Sequence, residues 1–369
     1  MSKSLIAAAP VATATTAHVT PSVHGVLVSL SLSVLLSSLG ASIANVGLPT
    51  FARVFGASFQ AVQWVVLAYL LSITSLVLVV GRLGDIVGRR RLLRAGIALF
   101  TAASVVCGAS PGLWVLVGAR AVQGMGAAIM MVLGMALIGE TVPKGRTGSA
   151  MGLLGTMSAV GTALGPSLGG TLIVGMGWRV LFLVNVPLGI LTLFLVRRHL
   201  PIDRRERTSR DPHFDYTGVL VLVATLVAYA LAMTLGRGRF GALNVALLAT
   251  AAVGLWIFVR TEGRAASPLI QLTTLRDTVL RASLATSALV ATVVMATLVV
   301  GPFYLSHALG LEPALVGVVM TVGPLVAAIA GVPAGRIADR FGTHRSAQVG
   351  LVCMSSGSAL LSTLPTTLG

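Results

Sequence analysis

Gly81-Arg82-Leu83-Gly84-Asp85-Ile86-Val87-Gly88-Arg89-Arg90-Arg91 is a short basic segment held between two long apolar ones, and its pattern returns at Gly335-Arg336-Ile337-Ala338-Asp339-Arg340-Phe341-Gly342-Thr343-His344-Arg345. Each copy sets Gly, then Asp four residues on, then Gly three further, with Arg beyond. Glycine lets two helix ends approach closely, an Asp favours the positive end of a helix dipole, and arginines suit a membrane interface. A duplicated helical unit explains the repeat. A solvated turn is the plainer alternative.

The rest of the chain suits helices that cross a bilayer. Of its 369 residues 56% are hydrophobic and only 10% charged, with a mean hydropathy of +0.95. Soluble domains carry about 25% charged residues, so a soluble globular class is excluded. Apolar stretches near the ~20 residues needed for a span fall at 25–48, 61–80, 95–109, 113–138, 148–174, 180–196, 216–235, 241–259, 283–307, 313–332 and 347–364. The expected fold class is an all-α polytopic membrane protein with about eleven transmembrane helices.

Charge placement orients this bundle. If the N-terminus is cytoplasmic, 21 of the 26 Lys and Arg fall on the cytoplasmic side and four outside, at Arg53, Arg179, Arg237 and Arg239. The remaining one, Arg120, lies within a span. This asymmetry predicts a cytoplasmic N-terminus, and it accounts for the net charge of +16 without a nucleic-acid partner. In the first 24 residues the apolar run Leu5–Val11 is short and broken by Pro10, unlike a cleaved signal peptide. Cys107 and Cys353 sit in expected spans as packing residues, and six scattered histidines offer no metal-ligand spacing. No metal site and no cofactor is expected.

With these residues in place, the chain resembles the major facilitator superfamily, whose loop between helices two and three carries G-x-L-x-D-R-x-G-R-[KR]-[KR]. The first copy departs at Ile86, where the family usually has Arg. Eight spans separate the two copies instead of the usual six, which resembles the fourteen-helix drug:proton antiporter branch. Further segments are similar to motifs of that branch. Leu116 to Gly126 fits the fourth-helix pattern L-x-x-x-R-x-x-Q-G-x-G, Gly155 to Gly170 the fifth-helix antiporter motif, and Trp178 to Pro187 the entry to helix six. Gln63 to Leu71 and Asn45 to Pro49 fit the second and first helices.

The resemblance implies an N-terminal tail (1–24), a six-helix half (25–197), a charged cytoplasmic loop (198–215), two inserted helices (216–260) and a second half of three helices (261–369). It also implies a gating motif of Gly81, Asp85, Gly88, Arg89 and Arg90, echoed by Gly335, Asp339 and Gly342. An unpaired charge at membrane depth costs about 2.5–3.5 kcal/mol, so Arg120 should face the bundle interior, with Gln123 on the same helix face. Arg120 then either shapes the pathway's field and takes part in coupling or serves as a structural anchor. Asn45, Trp64 and Tyr69 fall on helices that line the central cavity of this fold, where ordinary packing is an alternative role. Gly161, Gly165 and Gly169 recur every four residues, a spacing that lets membrane helices pack backbone to backbone. With Pro166 and Gly170 they belong to the antiporter motif, as a hinge or as static packing.

One departure concerns coupling. The family's first helix usually reads L-D-x-T, whereas here Leu39 is followed by Gly40, and all ten acidic residues fall in expected loops or helix ends. The implied activity is proton-driven efflux of a small lipophilic compound by alternating access in a prokaryotic plasma membrane, with lipid, substrate and protons as partners. The chain ends after the third helix of its second half, so it is expected to be C-terminally truncated, with weak or absent transport unless another chain completes it. Export of an endogenous metabolite and a non-transporting membrane protein are the alternatives. No nucleophile, metal or carboxylate pair shares a span, so no enzyme is expected.

Overall fold

The computed structural model describes residues 23–200, 216–235, 241–263, 277–305, 310 and 313–362. The expected tail and charged loop, with Asp203, Glu206, Asp211, Asp215 and Glu312, lie wholly or largely outside these residues. The described residues form α1 (Val23–Phe55), α2 (Phe59–Val87), α3 (Arg89–Ala109), α4 (Leu113–Thr141), α5 (Thr147–Met176), α6 (Val180–Leu183) and α7 (Asn185–His199). They continue with α8 (Tyr216–Thr234), α9 (Ala242–Glu262), α10 (Thr278–Phe303), α11 (Pro313–Phe341) and α12 (Thr343–Ser362).

Each of the eleven expected spans coincides with a helix, the sixth being α6 and α7 in succession. Among the described residues eight helical stretches, one of them α6 and α7 together, are long and apolar enough to cross a membrane. The corresponding stretches of α8 and α10 are shorter. Several helices outrun their apolar stretches, because an α-helix satisfies its own backbone polar groups and can carry a charged final turn to the interface. Thus α2 runs to Val87 and α3 begins at Arg89, leaving Gly88 alone where the sequence suggested a loop.

Helix α1 lies at the centre of the first bundle, packing on α2, α4, α5 and α7. It buries Leu30, Val34, Leu36, Leu39 and Ile43 together with a run of serines. Inside a bilayer a hydroxyl needs a partner, and Ser29, Ser33 and Ser37 each donate to the carbonyl four residues back. Near mid-helix the serines reach outward instead. Ser38 Oγ lies 2.8 Å from Ser158 Oγ, and Ser42 donates to Gly161 O at 3.1 Å, both on α5. At the far end Phe51 and Phe55 meet Trp178 edge-on, at centroid distances of 5.5 and 5.4 Å, tying α1 to the α5–α6 connection.

Around this centre α2 and α3 both pack on α4, α8 pairs with α9, and α11 lies along α5. Asn244 closes the α8–α9 turn by donating to Ala232 O and Leu235 O. Many large apolar side chains are exposed on the outer surface, among them Trp114, Val174, Phe194 and Ile329, as lipid-facing helices require. Cys353, expected to pack in the core, is exposed on α12, while Cys107 is buried. Among the described residues α12 makes its main contact with α11 alone, which leaves the Cys353 face uncovered.

Candidate functional site: a buried arginine and a basic-end clamp

Helix α4 positions Arg120, and Arg120 is fully buried. Its Nε donates to Val65 O on α2 and its Nη1 to Gly40 O on α1, both at 3.0 Å. Nη1 also donates to Gln123 Oε1 at 2.6 Å, and Gln123 Nε2 passes the chain on to Ser104 Oγ on α3 at 2.7 Å. The guanidinium lies 4.0 Å over the ring of Tyr69, whose hydroxyl donates to Ser37 O. Arg120 thereby links α1, α2 and α4, and Gln123 extends the network to α3. A planar guanidinium can do this because its donors point in fixed, divergent directions. Nη2 is buried with no hydrogen-bond partner among the described residues, and an unsatisfied donor in a low-dielectric interior is costly.

The neighbouring glycines explain how α4 comes so close. A Cβ at Gly124 would stand 2.5 Å from Tyr69 O, and one at Gly126 would stand 2.7 Å from Gly96 O on α3. In the fourth-helix pattern, therefore, Arg and Gln supply the polar network and the glycines bring α2 and α3 within its reach. Gly40 plays a matching part on α1. A Cβ there would stand 2.9 Å from the tip of the Phe100 ring, so a side chain at the position where the family pattern has Asp would require that buried ring to shift.

The other expected residues are spread through the bundle. Tyr69 is buried beneath Arg120, so its ring packs in the core. Trp64 is half-buried and Asn45 is exposed. Gly161, Gly165 and Gly169 all face α1: a Cβ at Gly161 would stand 2.6 Å from Leu35 O, whereas one at Gly169 would make ordinary contact with Ile43 and Val46. Gly170 faces open space. Pro166 lies within an α5 that stays helical throughout.

The two copies of the basic motif lie at one end of the bundle and use their Asp differently. Gly88 and Gly342 have φ of +100° and +88°, a left-handed turn that lets the chain reverse between two helices on one residue. In the first copy Asp85 pairs with Arg89 one turn on, at 2.9 Å, and Arg89 also holds Glu140 at 2.5 Å. Arg90 donates to Arg197 O at 2.7 Å. All these contacts stay within α2, α3, α4 and α7. In the second copy Asp339 accepts from the backbone N–H groups of Gly148 and Ser149, at 2.6 and 2.8 Å. The carboxylate thus caps the N-terminus of α5, where free N–H groups and the helix dipole favour negative charge.

Below this cap α5 and α11 touch backbone to backbone. A Cβ at Gly335 would be blocked by Gly148 O, and one at Gly331 would stand 2.8 Å from Gly152 O. Thr156 Oγ1 then donates to Ala328 O at 3.0 Å. Sequence reasoning did not single out Gly148, Gly152, Gly331, Ser149 or Thr156. The available signal was the four-residue spacing of Gly148 with Gly152 and of Gly331 with Gly335, the small-residue pattern of close membrane helix pairs.

Comparison with known proteins gives a consistent picture. Over 338 residues the chain is 33% identical to the multidrug resistance protein Stp of Mycobacterium tuberculosis, covering 91% of this chain and 62% of that protein. It is 31% identical to the riboflavin transporter RibZ of Clostridioides difficile (86% and 68% covered) and 33% identical to the drug efflux pump JefA of M. tuberculosis (92% and 67%). The chain thus spans somewhat under two thirds of the length of Stp. Its fold matches that of the proton:xylose symporter XylE with a TM-score of 0.57, at 15% identity over 86% of this chain and 70% of that one. The model of the Major Facilitator Superfamily matches residues 30–369, and the chain belongs to that family.

Proposed function

We propose that this chain acts as a secondary transporter that exports lipophilic compounds by alternating access, driven by the proton gradient. The observation that carries the reading is the α5–α11 contact. It joins the bundle of α1 to α7 to the second motif copy through glycine backbones and one capped helix end, with Thr156 and Asp339 supplying side-chain hydrogen bonds. Rocking of two rigid bodies would open and close the pathway along this seam. The relatives named for drug resistance and efflux support the cargo class.

In this reading 25–197 is one six-helix half, 216–260 an inserted pair, and 261–369 belongs to the other half. The basic end faces the cytoplasm of a prokaryotic cell, as the arginine asymmetry supports. Asp85, Gly88, Arg89 and Arg90 brace the first half at that end, and Gly335, Asp339 and Gly342 latch the second onto it. Arg120 and Gln123 hold α1, α2, α3 and α4 in one body, while Asn45 and Trp64 offer polar and aromatic surface to cargo. A lipophilic dye in cells expressing the chain is the test. Lower dye accumulation than in cells without it, reversed by a protonophore, is expected; equal accumulation in both overturns the reading. The relative named as a riboflavin transporter favours a second reading, export of a polar aromatic metabolite, marked by riboflavin release with no protection against dyes.

A further inference from the structure

The α5–α11 contact is flanked by a cavity of about 880 Å³ at the basic end of the bundle. Its walls come from four separate stretches: the start of α1, the α4–α5 connection, the first turns of α5 and the last turns of α11. Arg146, Arg336 and Arg340 line it, together with His24 and Asp339. The Asp339 carboxylate is already engaged by Gly148 and Ser149. Among the described residues none of the three arginines forms an ion pair. Below them the lining is apolar, with Leu27, Leu153 and Val332.

We propose that this cavity holds the phosphate of an anionic phospholipid, with the arginines on the headgroup and the apolar wall along the first methylenes of an acyl chain. A preference for basic residues at one membrane face accounts for arginines at this end, but not for three from two distant segments around one cavity with an apolar floor. Arginine's forked donors suit a phosphate, and the apolar lining favours a lipid over a free ion. Because the walls belong partly to α1 and α5 and partly to α11, a bound headgroup would bridge the same contact that Asp339 caps. The proposal concerns binding and does not depend on transport.

The test is lipid retention by the purified full chain in nanodiscs of phosphatidylcholine with a minor share of phosphatidylglycerol, read by mass spectrometry of the retained lipid and by the melting temperature. Preferential retention of phosphatidylglycerol is expected, weakening as ionic strength rises. Each arginine removed should weaken it about fivefold, so the triple variant Arg146→Gln, Arg336→Gln, Arg340→Gln should lose it about a hundredfold. The comparison variant Arg91→Gln, Arg94→Gln, Arg198→Gln, at the same end but outside the cavity, should retain it. An equal loss in both variants would show a general basic surface and overturn the site. Equal retention of the two lipids by the wild-type chain overturns it without any variant. Displacement of phosphatidylglycerol by excess inorganic phosphate, with the same protection against melting in lipid-free detergent, would assign a free anion and overturn the lipid.

Discussion

The segments 81–91 and 335–345 share a spacing, a left-handed glycine and a place at the basic end, yet their aspartates have different partners. Asp85 pairs with a side chain one turn away, and its own side chain is 55% exposed. Asp339 reaches a different helix and takes two backbone donors. The repeat therefore encodes a turn, because φ at Gly88 and Gly342 is a local property. The partner of the Asp is set by whichever helix N-terminus arrives beside it. In this structure α5 arrives beside the second copy.

The comparison is broken most severely by filling the contact it depends on. Gly335→Leu would drive a side chain into the Gly148 backbone, which cannot retreat as a flexible side chain can. A loss of about 3 kcal/mol or more is expected, seen as a large fall in melting temperature, whereas Gly81→Leu, which faces open space, should leave it nearly unchanged. Next in size, Arg120→Lys keeps the charge but cannot reach Val65, Gly40 and Gln123 at once. It should cost about 2 kcal/mol and reduce dye export. Unchanged export would remove Arg120 from coupling.

The turn itself gives the next effect. Gly88→Ala and Gly342→Ala each place a Cβ in a left-handed turn, at about 1–2 kcal/mol. Equal losses in melting temperature would support a shared turn, and unequal ones would end the equivalence of the copies. Smallest and most discriminating is the pair Asp339→Asn and Asp85→Asn. An amide keeps an acceptor but no charge, so Asp339→Asn should lower the melting temperature and loosen α5 from α11, read by disulfide trapping between cysteines introduced at Ser149 and Arg336. Asp85→Asn removes an exposed pair and should change stability by about 0.5 kcal/mol or less. The reverse ranking would refute the assignment of the cap.

Much of this was legible in the sequence. The spans could be read because a bilayer imposes length and composition on each helix separately, and Arg120 with Gln123 could be paired because three residues on a helix is a local relation. The fourth-helix glycines were visible, but not the helices they admit, since Tyr69 and Gly96 come close only in three dimensions. The contact between Gly148 and Asp339 joins residues far apart in the chain, and no local periodicity announces it. Gly40 shows the limit most directly: a missing Asp was evident, whereas the Phe100 ring packed against the position was not.

The serines of α1 carry one further consequence. Ser29, Ser33 and Ser37 spend their hydroxyls on their own helix, so the basic-end stretch of α1 owes its neighbours no side-chain bond from these positions. Ser38 and Ser42 are tied to α5. Side-chain hydrogen bonding from α1 to α5 is therefore concentrated where Ser38 and Ser42 meet Ser158 and Gly161, which fastens the centre of α1 to α5 within one rigid body.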